Sequence, residues 1–534
     1  MKNFVQITLC VLILTAGISL ARDEPLANAD KDGLYARSIE QVLRLPADQL
    51  DIGIAALIIS EQWSDMVPGR RYQQRLDDIA LEIRSRLKDR NLTADYRAIA
   101  VINEYIFDEL GFASVENADN PHDLFLHTVL DKKRGYCLSL SILYLAVAER
   151  LGLPLYGVVV PGHFFVRYDD GHVRFNIETT GKGRTADDKH YIEKFKVPET
   201  ADNIYMTNLS KIQTLGCFFN NLGNSYTDVG DTEQALLALE RAVEINPSLA
   251  ESLANLGNVY LEAGRLDDAI YKYQAAMEIN PIDAKTHNNL ANAYCAKGWF
   301  TAAIEEYDRC LNLQPTFIDA YENLAAAYCR RQMFGNAAAT LKNALAIQPQ
   351  NTSCYVQLGN VYIQMDDYKQ AQSHFQKALS ITPDSAEGYF GMGLCWGKFN
   401  APKQEIAAYK KALALDPQMV GALTNLANAY FNDGDHDAAF ELYGKAVTVQ
   451  PDNACVHYNL AAAYANTDRY ELAVAEYKKA VEFDPQMGDA HNGLAFALYK
   501  LKQYKLAWQH AEFADKLGAP VTAALSTAIA NRLR

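Results

Sequence analysis

Eight prolines (Pro247, Pro281, Pro315, Pro349, Pro383, Pro417, Pro451 and Pro485) stand 34 residues apart through seven consecutive gaps. Only stacked units of one length impose such spacing, so more than half of the 534-residue chain is expected to form a repeat array. Cutting 31 residues before each proline gives eight units of 34, and the register continues into a ninth, covering 216–521. Position 8 is always Gly or Ala, from Gly223 to Ala495, and position 20 is Ala in every unit but the one carrying Glu405. Small residues recur where two helices must approach closely, and large apolar residues fill the places between them at helical spacing. Position 15 carries Gly230, Gly264, Gly298 and Gly434, or Asp366, Asn400 and Asp468, which suit a helix end with positive φ. The Asn, Asp or Thr before most of the prolines is expected to cap a helix whose first residue is that proline. Each unit is therefore expected to be a helix–turn–helix.

This pattern closely resembles the tetratricopeptide repeat family over all nine units. The resemblance implies an all-α superhelical solenoid with a concave groove, and Thr522 to Arg534 reads as a polar-ended capping helix. Asn221, Asn255, Asn289, Asn323, Asn425 and Asn459 fall at position 6, and Asn224, Asn258, Asn292, Asn360 and Asn428 at position 9. One helical turn separates the two sets, which predicts a ladder of amides along the groove. An amide both donates to and accepts from a peptide backbone, so a protein or peptide in extended form is the expected partner. Asn is also common at these positions in the repeat family, which is the bland alternative.

The formal charge of −15 argues against nucleic acid, because phosphate binding needs a basic surface. Residues 1–21 have the order of an export signal: Lys2, an apolar run from Phe4 to Ile18, then Ser19-Leu20-Ala21. The expectation is an exported protein, periplasmic or secreted, and anchored only if that segment stays uncleaved. Past Ala21 no segment is long and apolar enough to span a bilayer. Besides Cys10 there are eight cysteines, seven of them in the repeats. Cys295 and Cys329 occupy equivalent positions in adjacent units, too far apart for a disulfide, and such residues read as small buried packers. Cys137 is left alone in the upstream domain, residues 35–205.

Chemistry concentrates in that domain. Apolar residues recur at helical spacing from Leu138 to Leu151, and Gly152 ends the run. Cys137 therefore opens a buried helix, where unpaired N–H groups and the helix dipole favour an anion. Phe164–Tyr168 and Val173–Ile177 alternate like strands around Asp170-Gly171, a two-residue hairpin signal. That turn pairs residues whose numbers sum to 341, making His163 and Glu178 direct neighbours with Cβ atoms ~4.5–5.5 Å apart. Phe164, Val166, Tyr168, Val173, Phe175 and Ile177 then share a core face, while His163, Phe165, Arg167, Arg174, Asn176 and Glu178 share the chemical one. Residues 181–212 read as a loop and connection. Neither CxxC nor HExxH spacing occurs, so zinc is not expected, nor any other cofactor.

A lone cysteine at a helix start is usually a packing residue; a histidine and a carboxylate aimed at it make a nucleophile–base–orienter set. Arg134-Gly-Tyr-Cys137, Pro161-Gly-His163 and Phe175-Asn-Ile-Glu178 resemble the transglutaminase-like branch of the papain-like cysteine superfamily. The likeness extends back through Asn103–Gly111 and Leu124–Gly135. It implies an α+β fold, Cys137 as nucleophile and His163 as base, with Glu178 in the place of the family's usual Asp. The expected activity is that of a cysteine-dependent amide hydrolase or acyl transferase. The competing class is an interaction scaffold whose upstream domain only binds.

Overall fold

The computed structural model describes residues 28–29, 35–46, 49–64, 67–115, 120–199, 203–519 and 521–533. The expected export segment, 1–21, lies outside them. Two compact units are present, one ending at Leu313 and the other beginning at Gln314.

The first unit starts with a short antiparallel pair, β1 (Asn28–Ala29) and β2 (Tyr35–Ala36). Helices α1 (Ile39–Val42), α2 (Ile52–Trp63) and α3 (Gly69–Asp89) follow, then α4 (Ala98–Asn103), which widens into a π-helical turn over Glu104–Glu109. Strand β3 (Ala113–Ser114) pairs in parallel with β4 (Arg134–Gly135), and α5 (Leu126–Lys132) lies between them in sequence. Helix α6 (Cys137–Leu151) is apolar nearly all round and correspondingly buried; Gly152, at φ 74°, ends it.

Four antiparallel strands come next in the order β5 (Leu155–Val160), β6 (His163–Asp169), β7 (Arg174–Glu178) and β8 (Arg184–Ala186). The β6–β7 register differs from the expected one by two residues: Tyr168 pairs with Phe175 and Asp169 with Arg174, sums of 343. The cause is Asp170. Its carboxylate accepts the backbone N–H groups of His172 (2.8 Å) and Val173 (2.7 Å), building a wider turn than the two-residue one. A slip of two leaves every side chain on its expected face. Phe164, Val166, Tyr168 and Ile177 indeed pack into the main core.

The opposite face is covered as well, contrary to the reading of residues 181–212 as loop. Helix α7 (Asp188–Phe195), capped by Asp187, lays Tyr191 and Phe195 against Phe165, Val158 and Val160. Arg167 is fully buried beneath it. Its guanidinium donates to Asn176 Oδ1 (2.7 Å), the Met206 carbonyl (2.7 Å) and Asp188 Oδ1 (2.8 Å). A buried charge needs such full pairing.

Three helical hairpins complete the first unit: α8 (Lys211–Asp228) with α9 (Thr232–Ile245), α10 (Ala250–Glu262) with α11 (Leu266–Ile279), and α12 (Ala284–Ala296) with α13 (Phe300–Leu313). They share one core with the α/β part, running from Ala36 to Ala293. Trp63 meets Phe219 with ring centroids 6.0 Å apart, and Phe125 meets Phe218 at 6.1 Å. Gly157 permits the join: a Cβ there would stand 2.5 Å from Phe164 Cζ and 2.8 Å from Thr214 Oγ1 of α8. Lys211 donates to the Leu50 carbonyl (2.6 Å) and pairs with Glu149.

The second unit holds six further hairpins, from α14 (Ile318–Arg330) to α25 (Tyr504–Lys516), followed by α26 (Ala523–Leu533), whose Ile529 enters the core of the last hairpin. Position 15 has positive φ in all nine hairpins, including Gln332 (59°) and Lys502 (62°), where no glycine or asparagine eases it. The prolines do not begin helices as expected. Asn280 ends α11 at φ −127° and ψ 85°, outside the helical region, Pro281 lies in the following turn, and Asp283 caps α12 through the N–H groups of Lys285 and Thr286. Proline forces the residue before it out of the helical region, so here it stops the preceding helix.

Candidate functional site

Cys137, at the first turn of α6, faces the His163 imidazole, and the ring's Nε2 lies 2.7 Å from Glu178 Oε2. The three residues expected from the sequence are thus brought together, although not by direct cross-strand pairing. With sums of 343, Glu178 sits on the diagonal from His163, where Cβ atoms are ~7–8 Å apart. The extra methylene of glutamate, compared with aspartate, covers that reach.

Several contacts fix the carboxylate. Glu178 Oε1 accepts from the Thr180 hydroxyl (2.6 Å) and backbone N–H (3.2 Å), while Oε2 accepts from Tyr191 Oη (3.3 Å) besides the imidazole. Thr179, next in sequence, donates to the Cys137 carbonyl (3.3 Å) and bonds the Ser141 hydroxyl (2.9 Å). The acid's strand is thereby tied to the start of the cysteine's helix. The ring itself stacks on Phe195, centroids 4.9 Å apart and planes within 4°.

Electrostatics follow from this arrangement. Burial opposes a charged imidazole, but the Cys137 and Glu178 side chains outweigh it and raise the His163 pKa to about 9. Burial likewise acts to raise Glu178, and the His163 and Thr180 contacts more than cancel that, holding it below the ordinary carboxylate value. The ring is therefore cationic at neutral pH and the acid anionic. Such a pair can give a proton to a leaving group and then take one back from water. Cys137 is half-buried, and its N–H is among the helix-start amides that no intrahelical acceptor can satisfy.

Sequence reading missed Thr180, Tyr191 and Phe195. The signal for the last two was present: Asp187 as a cap, then Tyr191 and Phe195 four residues apart on one helix face.

The asparagines of the first unit associate between neighbouring hairpins and with tyrosines of their own. Asn255 donates to Asn220 (3.1 Å) and Asn289 to Asn258 (2.9 Å). Asn258 also accepts from Tyr273 Oη (2.7 Å), and Asn292 from Tyr307 Oη (2.5 Å). In the second unit Asn428 accepts from Tyr443 Oη, and Asn459 donates to the Cys455 carbonyl (2.9 Å). Asn221, Asn323 and Asn425 are half-buried, and Asn224 and Asn360 are exposed. Part of the amide capacity is therefore spent inside the array. All eight cysteines among the described residues are free thiols.

With this geometry in hand, the class of protein is defined by its two parts. Residues 70–215 match the family model described as the transglutaminase-like superfamily. Models described as TPR or tetratricopeptide repeats match 223–264, 257–298 and 291–331, then 316–384, 356–420 and 418–486. The protein is a transglutaminase-like domain followed by an array of tetratricopeptide repeats. Among curated relatives, a "UPF0162 protein" of Xylella fastidiosa (strain 9a5c) is 27% identical over 211 residues, 37% of this chain and 73% of the relative. F-box only protein 21 of Mus musculus is 37% identical over 76 residues, 14% of this chain and 12% of that protein. Among solved structures, a tetratricopeptide repeat protein from Parabacteroides merdae ATCC 43184 aligns with a TM-score of 0.42 at 20% identity, covering 47% of this chain and all of that one.

Proposed function

We propose that the protein is an exported cysteine-dependent amide hydrolase or acyl transferase acting on peptides or proteins recruited by its repeats. The observation that carries this reading is the convergence of Cys137 and the His163–Glu178 pair at the start of α6. The Cys137 sulfur, as thiolate, adds to the carbonyl carbon of an amide. As the tetrahedral adduct collapses, the C–N bond breaks and His163 gives its proton to the departing amine, leaving a thioester. Water, giving its proton to His163, then adds to the thioester carbon and the C–S bond breaks, returning the Cys137 thiolate and releasing the acid; an amine in its place gives its proton to His163 and forms a new amide. Glu178 keeps the imidazole oriented and stabilises its cationic form. The Cys137 N–H supplies one donor to the oxyanion. The amides of the array's position 6 and 9 residues offer the recruited chain its backbone partners.

The test is iodoacetamide labelling of Cys137 across pH, followed by peptide mass mapping. A nucleophilic thiol labels rapidly below about pH 7 and slows when His163 is replaced by Ala. A Cys137 that labels like exposed Cys455, with no effect of His163→Ala, would leave the domain a binding module.

A further inference from the structure

We propose that Asn103, the last residue of α4, is a positioning residue for Glu178. The inference rests on the reading of Glu178 as the acid that orients His163. Asn103 acts through the loop on which that acid is mounted. Its Nδ2 donates to the Gly183 carbonyl (3.0 Å), and the Gly183 N–H donates to the Glu178 carbonyl (2.9 Å). Glu178 and Arg184 pair across β7 and β8, so Gly183 closes the loop that runs from the acid to the next strand. The same loop carries Thr180, whose hydroxyl and N–H fix Glu178 Oε1. Gly183 takes φ 76°, and a Cβ on it would collide with the Asn103 amide, so that side chain is seated directly on the loop.

The other end of the amide is anchored to the nucleophile's own helix. Tyr144, buried in α6, donates its hydroxyl to Asn103 Oδ1 (2.8 Å). Cys137, Ser141 and Tyr144 are spaced i, i+4 and i+7, so they share one face of α6. That face grips the loop twice: Ser141 meets its start through Thr179 (2.9 Å), and Tyr144 meets its end through Asn103. Sulfur and acid are thereby referred to one rigid element. An amide suits the place because it accepts from a hydroxyl and donates to a carbonyl at once; a carboxylate could only accept, and a leucine could do neither. The backbone points the same way. Straight after Asn103 the helix widens into its π-helical turn, a rare form that recurs at functional sites, and Asp108 of that turn lies 3.6 Å from Lys182 of the same loop.

The experiment uses the full chain with Tyr144→Phe, with Asn103→Leu added to Tyr144→Phe, and with Asn103→Asp. Three quantities are read: the Cys137 labelling rate between about pH 5 and 9 with Cys455 as internal reference, the His163 titration midpoint by imidazole hydrogen exchange, and Tm. Tyr144→Phe keeps the bond to Gly183 and is expected to leave labelling within about twofold of wild type. The double variant strands no tyrosine hydroxyl but loses that bond. It is expected to slow Cys137 labelling about tenfold near pH 6.5 and to lower the His163 midpoint by about half a unit. A labelling profile and midpoint equal to those of Tyr144→Phe, whatever the Tm, would reduce Asn103 to a partner for a buried hydroxyl and overturn the proposal. Should the double variant fail to fold, Asn103→Asp decides. It keeps the volume and the acceptor for Tyr144 but turns an acceptor towards the Gly183 carbonyl, so labelling is expected to slow about fivefold; an unchanged rate would overturn the proposal. If wild-type Cys137 labels no faster than Cys455, the nucleophile reading fails, and the His163 midpoint alone decides the role of Asn103.

Discussion

The molecule contains histidine–carboxylate pairs in both of its parts, and they differ in what the second ring nitrogen meets. In the α/β domain His163 gives Nε2 to Glu178 and turns the rest of its ring towards a thiol. In the repeats His287 gives Nδ1 to Glu306 (2.7 Å) and Nε2 to the Pro281 carbonyl (3.1 Å). His457 repeats this with Glu476 (2.5 Å) and the Pro451 carbonyl (2.9 Å). A carbonyl offers no proton and attacks nothing, so those rings clamp the proline turn closing one unit to the second helix of the next. A buried histidine beside an acid is thus no signature of catalysis. The atom opposite the acid decides.

The widest gap between the two kinds of pair should open in turnover. Cys137→Ala is expected to lower any amide turnover by at least ~10³-fold, measured with a released-amine assay, while leaving Tm nearly unchanged. Next come the histidines themselves. His163→Ala should slow Cys137 labelling near pH 7 about 10–100-fold. His287→Ala should leave labelling alone yet cost about 1–3 kcal/mol in chemical denaturation, because it removes one of the two partners of a buried carboxylate and leaves Glu306 to Arg309 alone. If His287→Ala also altered Cys137 reactivity, the distinction drawn here would collapse.

A smaller effect separates the acids. Glu178→Asp falls short of the diagonal reach and should slow labelling by several-fold up to about tenfold. The smallest effect is in pH-dependent stability. The raised His163 pKa of about 9 adds stability that is complete below the unfolded value near 6.5 and is lost as pH rises through about 9. The Tm gap between wild type and His163→Gln should therefore narrow between about pH 6.5 and 9.5.

Legibility in the sequence followed the range of the forces involved. The repeats were readable because each unit solves the same packing problem, so Gly257 and Ala291 announce themselves by recurrence. The trio was readable because strand parity survives a slip of two, which kept His163 and Glu178 on one face despite the wrong register. That slip was set by one carboxylate, Asp170, choosing amides two and three residues ahead, a local competition that alternation of apolar residues does not reveal. Helix α7 was missed for a related reason: eight residues rich in charge show only two apolar anchors, Tyr191 and Phe195. Arg167 was placed on the chemical face, and its burial was not foreseen because nothing along the chain announces the Asp188 and Met206 oxygens that accept from it.

The continuous packing from Ala36 to Ala293 bears on how such a molecule can be taken apart or re-used. Anyone transplanting the cysteine centre onto a different scaffold would have to carry along the first helical pairs, because severing the chain near Ser210 would expose Phe218, Phe219 and Trp63 to water. The natural unit of inheritance is longer than the segment bearing the chemistry.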